Sequence, residues 1–383
     1  MKPESNSKSK RSVIEALVFL VVIMGGFSVL AWKMGSDNLL NTMMNTAHKL
    51  ILNVVLYLMG ITVLTGALSK LMAEFGVVSL LEKVLRPLMK PLFNLPGVAA
   101  LGAVMTFLSD NPAIIALSKD KTFASYFKKY QLVSLTNFGT AFGMGFVVLI
   151  TMIGFGQAAP ALVGLLGAFG GSIISTRLMQ RSVLKSYPEM DSPALEESPE
   201  ELKEEQETEH RKGLFMRFLD ALLDGGKNGV ELGLQIIPGV VIITTMVVLI
   251  TFGAGEGGVY DGSANQGVPI LPWLADKIDF VFKALFGFDA MQLIAFPITA
   301  LGAVGAALGL LPSFSTAGIL DGNAIAVCTA IGMCWSGYLS THTAMLDSLG
   351  YRHLISKAIM SHTIAGLCAG VIAHYAWLLI SLI

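Results

Sequence analysis

Gly97 to Lys119 reads GVAALGAVMTFLSDNPAIIALSK, apolar at both ends and polar at its centre, where Asp110 and Asn111 stand immediately before Pro112. In a chain built mostly of apolar segments, a carboxylate beside a helix-breaking proline must face a cavity or a protein partner. The stretch therefore predicts a helix broken at Ser109–Pro112.

The pattern returns two hundred residues later. Ala100–Val104 is ALGAV, and so is Ala300–Val304. Each copy leads to an Asp/Asn knot before an apolar run: SDNPAII at Ser109–Ile115 and LDGNAIAV at Leu320–Val327. These read as two broken helices, or re-entrant hairpins, whose tips meet near mid-membrane, the binding-site geometry of a secondary transporter.

Composition sets the class. Of 383 residues, 54% are apolar and 14% charged, with a mean hydropathy of +0.67, whereas a soluble domain carries about 25% charge. The chain is a polytopic membrane protein. A net charge of −1 gives no case for nucleic acid. Cys328, Cys334 and Cys368 lie in apolar segments and read as small packing residues rather than a disulfide framework. No phosphate loop, HExxH or CxxC occurs, so the sequence shows no enzyme signature and calls for no cofactor.

Positive charge orients the chain. Lys2, Lys8, Lys10 and Arg11 place the N-terminus in the cytoplasm of a bacterial inner-membrane protein. Ser12–Trp32 is a retained first span, Gly35–Asn45 an outer loop and Leu50–Leu71 the second span. Leu80–Phe93 is amphipathic and belongs flat at the interface. Basic flanks on both sides of the opening stretch, Lys83 to Lys90 and Lys119 to Lys129, suit a hairpin that enters and leaves from the cytoplasm; two short crossings are the alternative. Tyr130–Ile153 and Ala161–Leu178 span, separated by a turn at Gly156–Pro160. Ser186–Lys212, with its acidic run from Glu196 to Glu209, reads as a flexible linker. Leu214–Leu223 is a short amphipathic helix, Gly229–Phe252 a span, Gly253–Gly267 an outer loop and Pro272–Phe286 a second interfacial helix. A broken segment Ala290–Leu349 and a last span Leu354–Ile380 follow, which leaves Arg352, His353 and Lys357 outside, against the positive-inside rule. The division is 1–49 (N-terminus, first span, outer loop), 50–185 (first repeat), 186–227 (linker and amphipathic helix) and 228–383 (second repeat), the repeats related by inverted topology.

Three clusters could carry chemistry. Asp110–Asn111 and Asp321–Asn323 offer side chains and freed backbone groups to a polar solute or a cation, although Asp and Asn are also ordinary helix N-caps. In Trp335–Asp347, WSGYLSTHTAMLD, the polar run Ser336, Ser340, Thr341, His342, Thr343 could bind a solute; His342 could instead carry a proton, ligate a metal or simply pack. Asn137 beside Thr136, and His362 beside Ser361, occupy equivalent places in the closing spans and either flank the tips or bond helix to helix.

The segment GYLSTHTAMLDSLGYRHLISKAIMSH, Gly337–His362, resembles the Gly-Ser-Thr-Glu-Thr-Thr segment and following basic helix of membrane proteins with nucleoside-recognition Gate domains, the YjiH-type and sporulation-maturation-type members among them. Ser340, Thr341 and Thr343 match; His342 stands where those members have glutamate. The same domain occurs in concentrative nucleoside transporters and in the FeoB iron transporter, so the resemblance implies a nucleoside-like solute and transport across the membrane.

The expectation is an all-α membrane protein of two inverted repeats, each with an interfacial helix, a hairpin and spanning helices. It moves a small polar solute by alternating access, coupled to H⁺ or Na⁺. The substrate-binding residues are Asp110, Asn111, Asp321, Asn323, Asn137, Ser340, Thr341, His342, Thr343 and His362, with no metal site assigned. One alternative is a metal or ion path through Asp110, Asp321, His342 and His362, which must then converge; the other is a scaffold that assembles with a partner. The Gly-rich spans permit a homodimer.

Overall fold

A computed structural model describes residues 4–155, 158–195 and 213–382. Lys2, Gly156 and the acidic run Glu196–Glu209 lie outside the described residues. Among the described residues the chain is helical and forms no strand.

Helix α1, Glu4–Met34, is apolar from Val13 onward and long enough to span. Gly35, at φ +84°, turns the chain into α2, Ser36–Glu74. At 1.5 Å per residue this unbroken helix is about 58 Å long, nearly twice the hydrocarbon thickness. The expected outer loop Gly35–Asn45 is thus helical. Its polar side chains are satisfied by the loop of the second half: Asn38 donates to the Tyr260 carbonyl at 2.7 Å, Asn45 to that of Gly262 at 2.8 Å, and the Asn265 amide to Thr46 at 2.9 Å.

Helix α3, Val77–Leu88, lies between the long span and a hairpin of α4, Ala99–Leu108, and α5, Pro112–Lys119. Pro112 occupies the first turn of α5, where its missing N–H costs nothing. A span follows that breaks at residues 141–144: α6, Lys129–Thr140, then α7, Gly145–Gly154. Helix α8, Ala158–Ser186, closes the half.

The second half repeats this order. It runs α9, Leu214–Thr251, then α10, Ile270–Phe286, then a hairpin of α11, Met291–Gly302, and α12, Val304–Thr316. The broken span is α13, Gly322–Cys334, with α14, Tyr338–Ser348, and α15, Ile355–Ser381, ends the chain. Leu214–Leu223 is the first part of the 38-residue α9 rather than a separate helix.

Four further sequence readings change. Ala290–Leu349 is not one broken element but a hairpin plus a broken span. The ALGAV copies are out of register: Ala100–Val104 lies inside α4, whereas Ala300–Val304 straddles the second hairpin's tip at Ala303. The extra crossing puts the start of α15 beside the end of α8, where Lys357 donates to Ser186 at 2.9 Å. Arg352, His353 and Lys357 thus share a face with Arg181 and Lys185, and the charge anomaly disappears. Lastly, the linker's first residues are ordered. The Lys129 amide donates to the Ser192 carbonyl at 2.9 Å, and Lys128 pairs with Asp191 at 2.8 Å, a bond that raises the lysine above its ordinary value.

Helices α2 and α9 cross where Gly66, Gly225 and Gly229 bring backbones into contact, and Thr62 donates to the Gly229 carbonyl at 2.7 Å. Both long helices carry a π-helical stretch, Leu50–Val55 and Gly239–Thr244. Helices α8, α13 and α15 form the second tightly packed group.

Candidate functional site

The two hairpin tips open onto one cavity of about 400 Å³. The first contributes Asp110, Asn111 and Pro112, the second Gly302 to Gly305. The break before α14 supplies Ser336 and Gly337, α14 itself Ser340 and Thr341, and α9 adds Gln235 and, at the start of its π-helical stretch, Gly239. The second hairpin is tied to α9 by Thr244, which donates to the Ala306 carbonyl at 2.7 Å.

Asn111 fixes the first tip. Its amide nitrogen donates to the Ser336 carbonyl at 2.6 Å, so one hairpin is anchored on the break of the other half. Gly143, in the α6–α7 break, admits the tip: a Cβ there would overlap the Asn111 amide oxygen. Two acceptors are left over. Asp110 Oδ1 and Asn111 Oδ1 are buried and without a partner, at a cost of about 1–3 kcal/mol each unless a ligand donates to them. The hydroxyls of Ser340 and Thr341 both give their hydrogens to the Gly337 carbonyl, at 2.9 and 3.0 Å, and so turn lone pairs outward. The wall is rich in acceptors, with the Gln235 amide as the side chain suited to donate.

Of the sequence candidates, Asp110, Asn111, Ser340 and Thr341 line this cavity. The others lie elsewhere. Asp321 caps α13 by accepting from the Ala324 amide at 2.7 Å. Asn323 is a clasp: it donates to the carbonyls of Phe286 at 2.8 Å and Gly287 at 3.0 Å and accepts from His374 Nδ1 at 2.7 Å. Asn323→Ala removes all three bonds and is expected to cost about 2–3 kcal/mol, read as a lower unfolding midpoint in detergent without loss of the cavity. Thr343 donates to the Leu339 carbonyl and is exposed. Asn137 donates to Ser175 at 3.0 Å and to the Ala358 carbonyl at 3.0 Å, and His362 bonds Ser175 and the Cys334 carbonyl; both tie helices together. His342 is fully buried behind the cavity wall. Asp110, Asp321, His342 and His362 do not converge, and no cluster of three metal-ligating side chains occurs among the described residues. Ser336, the first residue of the polar run, also lines the cavity. Gln235 and Gly302–Gly305 were not among the candidates; Gln235 had a signal, as a lone amide in an apolar span.

Comparison with known proteins agrees with this architecture. Residues 53–156 match the family model Gate, described as nucleoside recognition. An uncharacterized protein of Alkalihalophilus pseudofirmus is 33% identical over 90 residues, 23% of this chain and 19% of that protein, so the match spans about a fifth of the relative. Among solved structures, a variant of the concentrative transporter CNTnw in an intermediate state superposes with a TM-score of 0.55 at 15% identity, over 96% of this chain and 87% of that one. A double variant in an outward-facing state gives 0.54 at 14% identity, over 96% and 86%. The inward-facing substrate-bound form gives 0.51, with the same identity and coverage. The chain is a multi-pass membrane protein that shares the fold of the CNTnw transporter structures and matches the Gate nucleoside-recognition model over residues 53–156.

Proposed function

We propose that this protein is a secondary transporter and that the cavity between the hairpin tips is its solute site. The observation that carries the reading is the pair of unpartnered buried acceptors, Asp110 Oδ1 and Asn111 Oδ1, at the point where both tips and the α13–α14 break converge. A volume of about 400 Å³ falls in the range of small-molecule sites. An acceptor-rich wall selects a solute that brings donors, as the hydroxyls and ring N–H groups of a nucleoside do. The similarity of fold to transporters caught in outward- and inward-facing states supports alternating access, with α2 and α9 as the frame and the hairpin-bearing groups moving against it. The two halves, repeated in order, are read here as inverted in topology, with the N-terminus cytoplasmic.

The test is ligand-induced thermal stabilisation of the full chain in detergent, across nucleosides, amino acids and small carboxylates. A nucleoside at a hundred times its Kd adds about 2.7 kcal/mol. Asp110→Ala is expected to lose that response. Asp321→Asn, which keeps a capping side chain, is expected to retain it. If no nucleoside stabilises the wild type and none accumulates in proteoliposomes, the reading is wrong.

A further inference from the structure

Helix α14 has two faces. Gly337, Ser340, Thr341 and Ala344 line the cavity, while Tyr338, His342 and Met345 turn the other way and are buried. Behind the wall stands a pair of histidines, His342 and His362, with ring centroids 4.7 Å apart and planes at 72°.

The two rings differ in kind. His362 is fully committed. Its Nε2 faces the Cys334 carbonyl at 2.5 Å and must donate; its Nδ1 therefore accepts from Ser175 at 2.7 Å, and Ser175 in turn accepts from Asn137 at 3.0 Å. His342 has no partner on either nitrogen, although it is completely buried. A neutral imidazole so placed leaves one donor and one acceptor unmet, a cost that packing by Leu or Phe would avoid. Histidine is the side chain that exchanges a proton near neutral pH. A free ring lone pair in a sealed site, with no third metal-ligating side chain grouped with the histidine pair among the described residues, is a place for a proton rather than for a metal.

The surroundings add no charge of their own. The titratable groups facing the pair are Tyr338 on α14, Cys334 on α13 and, behind Cys334, Cys368 on α15. From α6 and α8 the groups that reach it, Asn137 and Ser175, do not titrate. Helix α11 carries no charged residue. Lys119 of α5 and Lys129 of α6 stand at helix ends, Arg177 of α8 donates to the Leu92 and Pro91 carbonyls, and Lys357 of α15 is held by Ser186. Asp347 of α14 lies 3.8 Å from Arg352, and Asp110 faces the cavity across α14.

We propose that His342, backed by His362, is the proton site that couples the solute cavity to the proton gradient, an inference that rests on the transport reading above. Protonated His342 has two N–H donors, and in this packing the Tyr338 carbonyl one turn back is the acceptor nearest to reach, so α14 must swing or admit water to satisfy both. The hinge is present: Gly337 precedes α14 at φ +63°, a left-handed conformation that glycine adopts without strain. Because Thr341 and His342 are consecutive, any swing of the buried face also moves the cavity wall.

The experiment is solid-state NMR of ¹⁵N-histidine-labelled full chain in bilayers, from pH 4.5 to 8.5, on wild type, His342→Gln and His362→Gln. Two imidazoles are expected to titrate as a linked pair. Each variant removes one signal and moves the other's midpoint by about one pH unit or more, while the remaining four histidines are unchanged. If both imidazoles stay neutral throughout, or titrate independently, the proposal is overturned. A second arm uses uridine as probe in proteoliposomes. An inward proton gradient should raise uptake about tenfold in wild type and not at all in His342→Gln. Failure of wild type to move uridine counts against the solute reading, whereas the titration decides the proton site without any solute.

Discussion

Asn111→Ala is expected to weaken binding of the proposed nucleoside-like solute ten- to a hundredfold while the protein still folds. Two losses add. The buried acceptor Oδ1, packed against Gly143 beside the cavity, disappears, and the tip loses its bond to the Ser336 carbonyl, so the two halves of the site are no longer held in register. A buried hydrogen bond contributes about 1–1.5 kcal/mol and a stranded group costs more, which together give that range. The check is Kd from ligand-dependent unfolding, together with the unfolding midpoint of the ligand-free protein. Asn111→Asp separates the terms: it keeps an acceptor but sets a carboxyl oxygen against the Ser336 carbonyl. Equal affinity in wild type and both variants would remove this tip from the site.

Gly366→Leu is expected to prevent folding outright. Even a Cβ at Gly366 would overlap the Trp335 indole nitrogen, which donates to the His362 carbonyl at 3.2 Å. The indole also stacks on Tyr338 at 6.1 Å. Evicting it breaks the seam between α13, α14 and α15. Overpacking by a single methylene group costs about 1–3 kcal/mol, and a leucine asks for several times that, against a total stability of about 5–15 kcal/mol. The result should be an aggregated void peak on size exclusion. Gly60→Leu is the control, since nothing lies within 4 Å of a Cβ at Gly60.

Much of this was legible in the sequence, for physical reasons that also explain the failures. Apolar run length announces spans, and a proline after Asp-Asn announces a break, so α1, the first hairpin and its tip could be read directly. The second tip could not. Gly302–Ala303–Val304 breaks the helix with no polar side chain, and sequence reasoning moved the tip to Asp321, the nearest Asp/Asn knot. There the polar residues serve the backbone: Asp321 as a cap, Asn323 as a clasp on the Phe286 and Gly287 carbonyls. The ALGAV repeat misled because Ala and Gly recur wherever helices pack closely. The extension of α2 over Ser36–Lys49 was hidden because its Asn and Thr side chains look solvent-facing until the loop that satisfies them is placed. The isolation of His342 was invisible, since sequence cannot tell which face of α14 meets the cavity.

The bareness of the second tip has a consequence for how such a protein can change its solute. Of the two tips only the first carries polar side chains, Asp110 and Asn111, while Gly302–Gly305 offers backbone and apolar surface. Recognition and shape are therefore encoded in separate stretches of the gene. Substitutions at 302–305 can enlarge or narrow the space without disturbing Asp110 and Asn111, so solute size can drift while the polar signature is kept, and directed evolution for new solutes should begin at the apolar tip.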